Sequence, residues 1–427
     1  MTKEGLEPLS PAVTENQARD IASKFGTPVY VYSQKLLEEQ ADSALAFPNE
    51  YGLTVRYAMK ANPNANILKI FERKGIHIDA SSGYEAERAI RAGILPEKVL
   101  LTSQEIPNNL AALVRKGIEY NACSLHQLEN YGRLFSDSDV SVRINPGLGS
   151  GGTKRTNTGG PSSSFGIWHE DFEKIFEMVR KYDLNVKRIH THIGSGSDPE
   201  VWKKVALMSL DNVERFLEAG HNIKILNLGG GYKVGRMGYE KSTDLQECGE
   251  PVKQAFIDFA KKTGRELKLE IEPGTFLVAN AGCLVTRITD VVSTSEYNFI
   301  KIDSGMTEIT RPVLYGAQHP IAVVPRYPRQ KEMKDYIVSG HCCESGDILT
   351  PASGDPEALK PRKLLEAKIG DLAVIGGAGA YCSGMCAKNY NSYPESAEVL
   401  VDIKGKPHII RERQSLEQMI QNEGVVV

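Results

Sequence analysis

The sequence predicts an α/β fold, a (β/α)8 TIM-like barrel, followed by a second domain that is all β and sandwich-like. Strand-like and helix-like segments alternate between residues 55 and 272 and give eight strands separated by helices. Eight such units in roughly 225 residues match a closed barrel of parallel strands, whereas an open doubly wound sheet rarely needs eight evenly spaced units. After Glu272 the sequence changes to strand-like runs with turn residues between them, which predicts the all-β domain.

The predicted barrel strands are short runs rich in apolar residues, and they lie at residues 55–62, 75–81, 98–102, 120–124, 139–146, 186–193, 223–228 and 267–272. In the first of them Val55, Tyr57 and Met59 alternate with other residues, so Lys60 lies at its C-terminal end. The predicted helices lie at 66–75, 83–92, 108–116, 126–135, 170–182, 199–219 and 251–263. Residues 147–164 form a long loop rich in Gly, Ser and Thr, whose length indicates a functional or mobile segment.

This pattern divides the chain into two predicted domains. Residues 36–277 form the barrel, and residues 278–427 form the β domain. A strand at residues 27–33, within the N-terminal segment 1–35, is expected to be added to the β domain.

Composition excludes several classes of function. The chain has 427 residues and a formal net charge of −3, so no basic field indicates a nucleic-acid or anionic-membrane partner. The chain has seven cysteines, an odd number without a C-x-x-C pair, which argues against a disulfide framework and indicates a reducing compartment. The N-terminus lacks the apolar run of a signal peptide, and no apolar stretch of about 18 residues occurs, which predicts a cytoplasmic protein without a membrane anchor.

The chemically unusual residues cluster at the predicted C-terminal ends of the strands, where barrels of this class place their working groups. They are Lys60, Asp79, Arg143, His190, His192, Gly229, Gly230, Gly231, Glu272 and Gly274. A lysine at such a position is a candidate for Schiff-base chemistry, although an edge lysine held by a carboxylate is an equal alternative on that strand alone. The two histidines can equally be hydrogen-bonded core residues, and they lack a nearby carboxylate or cysteine at a telling spacing, so no metal is predicted.

Taken together, these residues predict a site for pyridoxal 5'-phosphate. Lys60 would form the Schiff base, and the three glycines with Ser195 would hold the phosphate, because bare backbone lets N–H groups approach an anion. His192 would stack on the pyridine ring. Glu272 would keep the ring nitrogen protonated and so make the ring a better electron sink.

Several motifs carry a resemblance to a known family. They are YAMKAN at Lys60, HTHIGSG at His192, LNLGGGY at Gly229, EIEPG at Glu272, RPVLYGAQH from Arg311, CESGD from Cys343 and GAYCSGMCAKNYNSYP from Gly379. As a set they resemble the diaminopimelate decarboxylase family, within the alanine-racemase-like and ornithine-decarboxylase-like pyridoxal enzymes. The resemblance covers about residues 25–415 and implies decarboxylation of meso-2,6-diaminopimelate to L-lysine by a head-to-tail homodimer with active sites at the interface.

The resemblance also implies roles for residues outside the barrel. Cys343 resembles the proton donor to the carbon that loses carbon dioxide, and Glu344 resembles the residue that binds the distal ammonium of the substrate, both lent by the partner subunit. Arg311 and Tyr315 resemble substrate contacts, and Tyr381 resembles a residue that contacts the phosphate or the substrate. Cys342, Cys382 and Cys386 are interpreted as small buried residues.

Two positions depart from the family pattern. Thr275 follows Glu272–Pro273–Gly274 where an arginine usually grips the far carboxylate of the substrate, and Tyr393 stands where another arginine is common. Threonine cannot offer a charged bidentate fork, so either another basic residue compensates, with Lys154 and Arg155 as candidates, or the substrate differs. Alternatives are therefore a decarboxylase of another amino acid (ornithine, lysine, carboxynorspermidine or a secondary-metabolite intermediate), a racemase, or a non-catalytic pyridoxal-phosphate-binding protein.

Overall fold

The computed structural model describes residues 7–149, 159–194, 198–330 and 332–424. Its strands are β1 (Val29–Ser33), β2 (Leu53–Ala58), β3 (His77–Ala80), β4 (Val99–Leu101), β5 (Glu119–Ala122), β6 (Asp139–Asn145), β7 (Ile167–Trp168), β8 (Asn185–Thr191), β9 (Ile225–Asn227), β10 (Lys268–Ile271), β11 (Gly282–Ser293), β12 (Asn298–Ile302), β13 (Ile321–Val324), β14 (Met333–Ser339), β15 (Pro351–Ala352), β16 (Asp355–Leu359), β17 (Arg362–Leu365), β18 (Leu372–Ile375), β19 (Ala397–Val401) and β20 (Pro407–Arg411).

Its helices are α1 (Glu15–Phe25), α2 (Gln34–Leu45), α3 (Ala65–Arg73), α4 (Gly83–Arg91), α5 (Leu110–Arg115), α6 (Leu125–Leu134), α7 (Phe172–Tyr182), α8 (Pro199–Glu218), α9 (Leu245–Thr263), α10 (Thr275–Val278), α11 (Arg311–Tyr315) and α12 (Leu416–Ile420). The chain divides into two compact units. We call Glu38–Val234 with Lys241–Leu277 the barrel unit, and Met1–Leu37 with Gly235–Glu240 and Val278–Val427 the sheet unit.

The barrel unit is a closed ring of eight parallel strands. The order is β5-β4-β3-β2-β10-β9-β8-β6, and the pairing of Asn121 with Ser141 and of Ala122 with Val142 joins β5 to β6 and closes the ring. Short β7 adds to β6 outside this count. The predicted (β/α)8 barrel is therefore confirmed, because buried strands and amphipathic helices alternate as the sequence pattern indicated.

One helix differs from its prediction. Helix α9 begins at Leu245 rather than at Pro251, because Asp244 caps it by accepting hydrogen bonds from the backbone N–H groups of Gln246 (2.9 Å) and Glu247 (3.0 Å). Pro251 consequently lies inside the helix. An early proline is common at the first helical position, which is why the sequence favoured the later start.

The sheet unit is built around a mixed sheet in the order β17-β14-β12-β11-β1-β19-β20, with β18 joining β11 to β13. N-terminal β1 lies in the middle: it pairs antiparallel with β11 and parallel with β19. Alternate residues of these strands, such as Val29 and Val31, are fully buried in a core that helix α1 covers with Ile21 and its neighbours. The all-β prediction for the second region is confirmed, apart from short helices such as α11.

Candidate active site

Lys60 lies on the C-terminal rim of the barrel. Strand β2 ends at Ala58, and a 3₁₀ turn, Met59–Ala61, then carries Lys60 outwards while its two neighbours in the turn are buried. The end of β2 is tied to the end of β10, because the Ala58 N–H donates to the Pro273 carbonyl at 3.2 Å. Lys60 is exposed at the end of a rigid strand, which is a suitable place for a reactive amine.

Asp79 and Arg143 are buried inside the barrel with polar atoms left unsatisfied. Oδ1 of Asp79 and Nη2 of Arg143 have no hydrogen-bond partner in the part of the chain that the structure describes. Burial, and next the charge of Glu272, raise the pKa of Asp79 well above its usual value. The Arg143 guanidinium lies 4.9 Å from the Phe165 ring centroid. Such orphaned buried groups indicate a ligand that completes them.

Glu272 is held as a carboxylate by two donors. His190 Nε2 lies 3.0 Å from its Oε2, and Asn227 Nδ2 donates to its Oε1 at 2.7 Å. Burial alone would raise the pKa of Glu272, but the contacts with His190, and after them the hydrogen bond from Asn227, outweigh burial and lower it below the usual value. The site therefore contains a buried, ionised acid of fixed orientation.

His192 is neutral, with a fixed tautomer. Its Nδ1 lies 3.1 Å from the backbone nitrogen of Gly230, and because that N–H can only donate, Nδ1 is the unprotonated nitrogen. Burial, and then the charges of Arg143 and Lys60, lower the pKa of His192 well below its usual value. A neutral, flat imidazole suits the stacking role predicted for it.

The glycine run is required by close packing. A Cβ on Gly229 would lie 2.6 Å from His192 Nδ1, and one on Gly230 would lie 2.1 Å from the Glu272 carbonyl oxygen. However, the Gly229 N–H donates to Asn227 Oδ1 at 2.8 Å, and the Gly230 N–H donates to His192. At most one N–H of the run, that of Gly231, can therefore be offered to an anion, fewer than the sequence predicted.

For the other predicted residues of the barrel, the structure gives only their local position or no description. Ser195, and the loop residues Lys154 and Arg155, lie outside the described residues. Gly274 precedes α10, and its carbonyl accepts from the Leu277 N–H at 3.2 Å. Thr275 is the first residue of that helix.

Sequence reasoning missed a charged layer that lies beneath the site. Nη2 of Arg56 donates to Glu119 (2.6 Å) and Glu270 (3.0 Å), and Nη2 of Arg188 donates to the same two carboxylates at 2.8 and 3.1 Å. Strand β5, which carries Glu119, neighbours neither β2 nor β8, so these contacts cross the barrel interior. Asn227 joins this layer to the site, because its Nδ2 also lies 3.2 Å from Glu270. The sequence does contain a signal for this layer. Arg188 precedes His190 by two residues, and Glu270 precedes Glu272 by two, so the two side chains of each pair lie on the same face of their strand.

The remaining predicted residues belong to the sheet unit. Arg311 and Tyr315 are the first and last residues of α11, four apart and so on one helix face. Tyr381 follows the GAGA run of residues 377–380 in a left-handed conformation (φ 56°).

Cys343 and Glu344 are exposed on one loop of the sheet unit. The Cys343 N–H donates to Asn391 Oδ1 at 2.8 Å. Glu344 lines a cleft of about 610 Å³ together with His341, and the Tyr393 ring stacks on His341 at 3.6 Å. Tyr393 therefore supports this loop in place of an arginine. Cys342 and Cys382 are buried as predicted, whereas Cys386 is only half-buried.

Neither a metal cluster nor a membrane span is found in the described ranges. No three His, Cys, Asp or Glu side chains there are grouped to hold a metal ion. Of the helices that the structure describes, none has the length and apolarity to cross a bilayer. All seven cysteines are free thiols.

The barrel residues fit pyridoxal phosphate on structural grounds. An ionised acid after β10, a neutral flat imidazole after β8 and an exposed lysine after β2 lie at strand ends of one barrel rim, and Asp79 and Arg143 each have a buried polar atom without a partner among the described residues. An acid beside a pyridine nitrogen, an aromatic face and a primary amine are the groups that this cofactor requires.

Comparisons with known proteins agree with this chemistry. Residues 34–279 match the family model described as pyridoxal-dependent decarboxylase, pyridoxal binding domain. The chain is 34% identical over 409 residues to the diaminopimelate decarboxylase of Streptomyces coelicolor, covering 94% of this chain and 90% of that protein. It is 33% identical over 417 residues to the diaminopimelate decarboxylase of Escherichia coli, with 96% of each chain covered.

Solved structures give the same result. A crystal structure of diaminopimelate decarboxylase matches with a TM-score of 0.89 and 32% identity, covering 96% of each chain. The diaminopimelate decarboxylase of M. jannaschii in co-complex with L-lysine matches with a TM-score of 0.86 and 25% identity, covering 98% of each chain. The chain therefore belongs to the diaminopimelate decarboxylase family of pyridoxal-dependent carboxy-lyases.

Proposed function

We propose that this protein decarboxylates meso-2,6-diaminopimelate to L-lysine and carbon dioxide, the last step of lysine biosynthesis. The observation that carries this proposal is the ionised Glu272, fixed by His190 and Asn227 at the same barrel rim as Lys60. The near full-length similarity to diaminopimelate decarboxylases gives the substrate.

The barrel residues would hold and tune the cofactor. Bound pyridoxal phosphate supplies the electron sink for the bond that breaks. Glu272, as a carboxylate, would hold a proton on the ring nitrogen, and His192 would cover one face of the ring. Lys60 would anchor the cofactor through its amine and yield that place to the substrate amine.

The other cofactor contacts follow from position. Asp79 and Arg143 would use the atoms that are orphaned in the barrel interior. Ser195, Gly229–Gly231, Gly274 and Tyr381 would bind the phosphate, with Gly231 giving the single N–H of its run.

We further propose a homodimer in which Cys343 and Glu344 act in the active site of the second subunit. Both are exposed, as such a role requires. The Cys343 thiol would return a proton to the carbon that has lost carbon dioxide, and Glu344 would bind the distal ammonium. Arg311, Tyr315 and Tyr381 would contact the substrate.

We also propose that residues 36–277 and 278–427, the latter with the N-terminal segment 1–35, are the two functional domains. The division of the chain near Leu37 and Leu277 supports this assignment. A cytoplasmic location is in keeping with seven free cysteines.

The test is release of carbon dioxide by the cofactor-loaded protein from a panel of acids. The panel contains meso-diaminopimelate, its LL and DD isomers, both enantiomers of lysine and of ornithine, and carboxynorspermidine. We expect turnover of meso-diaminopimelate alone, and none by Lys60→Ala, which should also lose the visible absorbance of lysine-bound cofactor. Efficient turnover of another acid, with meso-diaminopimelate poor, would replace the proposed substrate.

A further inference from the structure

The sheet unit contains a short loop, Gly235–Glu240, that presents an arginine. Glu240 closes the loop, because its Oε2 accepts from the backbone N–H groups of Arg236 (2.8 Å) and Met237 (3.1 Å). Asn280 Nδ2 donates to the Gly235 carbonyl at 3.0 Å and fastens the loop to the residues just before β11. A Cβ on Gly235 would lie 2.4 Å from the Glu240 carbonyl oxygen. These contacts fix the loop backbone, and with it the point from which the Arg236 side chain extends.

The Arg236 side chain is equally constrained. Its Nε donates to the Gly377 carbonyl at 3.0 Å, and a Cβ on Gly377 would lie 2.8 Å from its Cγ and Cδ. Gly377 begins the short run that ends at Tyr381. The guanidinium is therefore held against this run, close enough to Arg311 for the charge of Arg311 to act on it.

Arg236 and Arg311 are two positively charged side chains for which the described residues provide no carboxylate partner. Nη2 of Arg236 and Nε of Arg311 are buried and have no hydrogen-bond partner among the residues that the structure describes. Within the same residues, neither guanidinium is ion-paired to a carboxylate. Burial, and then the charge of Arg311, lower the pKa of Arg236 to about 9, so it is still charged at neutral pH.

The nearby side chains do not supply a negative charge that would offset the repulsion between the charges of Arg236 and Arg311. The Glu240 Oε2 atom already accepts hydrogen bonds from two backbone N–H groups, those of Arg236 and Met237. His319 Nδ1 donates to the Gly376 carbonyl at 2.9 Å, and burial, together with Arg236 and Arg311, lowers the pKa of His319 well below its usual value. His319 is neutral, so it adds no anion. Leaving charged donors buried and unpaired is costly, and a pair of them indicates a place for an anionic ligand.

We propose that Arg236 and Arg311 together bind the distal carboxylate of the substrate, and that Arg236 supplies the cation that Thr275 cannot. This inference rests on the proposed function. The reacting carboxylate leaves as neutral carbon dioxide, whereas the distal one stays anionic in substrate and product. Arg236 would offer that carboxylate a bidentate contact, and Arg311 would add a second positive charge. Arg236 is thus a residue that determines specificity, and Lys154 and Arg155 are not needed for this task.

The experiment compares two ligands that differ by this carboxylate alone, L-lysine and cadaverine. Binding of each to the holoenzyme is measured by titration calorimetry for the wild type, Arg236→Met, Arg236→Lys and the exposed surface control Arg326→Met. We expect Arg236→Met to weaken L-lysine about 10- to 100-fold and cadaverine less than about twofold, since one charge-assisted contact is lost. Arg236→Lys, which keeps the charge without the fork, should lie between, and Arg326→Met should match the wild type.

The outcomes separate this inference from the proposed function. If Arg236→Met leaves L-lysine binding unchanged, or weakens both ligands equally, while the wild type decarboxylates meso-diaminopimelate, the inference is overturned and the proposed function stands. If the wild type turns over only acids without a distal carboxylate, both are overturned. An unchanged melting temperature and cofactor spectrum in Arg236→Met will show that the variant is folded, and Arg236→Lys provides the second variant should it not be.

Discussion

Glu308 is an acid in the most enclosed part of the sheet unit, only 1% exposed. It accepts hydrogen bonds from Thr307 Oγ1 (2.7 Å), Ser396 Oγ (2.9 Å) and the Gly305 N–H (3.1 Å). Burial outweighs these contacts and raises the pKa of Glu308 to about 7. Close to neutral pH this side chain therefore exchanges a proton inside the core.

Replacing Glu308 by glutamine should change how stability depends on pH. The unfolded chain ionises this acid above about pH 4.5, but the folded protein keeps the proton until about pH 7. The free energy of unfolding of the wild type should thus fall by about 3 kcal/mol between these pH values relative to Glu308→Gln, and not beyond. Urea unfolding from pH 4 to 8 measures this difference, and parallel profiles for the two proteins would contradict it.

Individual site residues were predicted from the sequence where a strand end coincided with an unusual side chain. Lys60, His192 and Glu272 were predicted as site residues in this way, because strand ends in a parallel barrel meet at one rim. Arg236 was not found, since it follows the glycine run in a loop without periodicity. Only the three-dimensional fold brings this loop to Gly377.

The barrel strands carry a charged layer. In their sequences this layer is visible only as charged residues at alternate positions of a strand. Arg56 and Arg188 face Glu119 and Glu270 across the interior. Burial alone would raise the pKa of Glu119, but Arg188, then Arg56 and Lys187, lower it to about 2. The layer is thus fully ionised at neutral pH, and its charges depend on one another.

Removing one member of this layer should destabilise the barrel. Arg188→Met leaves two carboxylates with one fewer cation, and breaking a buried ion pair typically costs about 3–5 kcal/mol. The exposed pair of Arg133 with Glu129 provides the control, because solvent screens this pair and Arg133→Met should therefore cost far less than Arg188→Met. Chemical unfolding measures the loss in free energy of unfolding for each variant. Equal losses would show that the buried layer stabilises the barrel no more than an exposed ion pair does.

The turn after β9 should tolerate no side chain at its centre. In Gly230→Ala the new Cβ would meet the Glu272 carbonyl oxygen at 2.1 Å, so β10 or the turn must shift. Since that shift moves Glu272, we expect a loss of cofactor affinity of at least about tenfold, measured by the visible absorbance on titration with pyridoxal phosphate. Gly424→Ala, where no atom lies within 4 Å of the added Cβ, should bind the cofactor like the wild type.

At the scale of the molecule, the class of fold could be read from the sequence, because eight evenly spaced units leave few alternatives to a closed barrel. The start of α9 could not be read from the sequence, since a helix can begin after Asp244 or at Pro251, and tertiary packing decides between these two starts. Likewise the central place of β1 in the sheet unit depends on partners that lie far along the chain.

The proposed sharing of active sites between two subunits predicts how mixed dimers behave. Lys60→Ala and Cys343→Ala should each be nearly inactive, but after dissociation and mixing about half of the dimers would carry one intact site. Activity should then return to about a quarter of the wild-type value. Mixing Lys60→Ala with Glu272→Gln, two changes in the barrel unit, should restore none. If the Cys343 mixture also stays inactive, Cys343 acts within its own chain.

The position of β1 has a consequence for synthesis on the ribosome. Strand β1 leaves the ribosome before the barrel strands, yet its parallel partner β19 is among the last segments to be made. At 5–20 residues per second, its apolar residues wait for roughly tens of seconds before the sheet can form around them. Meanwhile the barrel has all its strands and can fold first. A nascent chain stalled before Ala397 should therefore hold a folded barrel beside an exposed, aggregation-prone N-terminal strand.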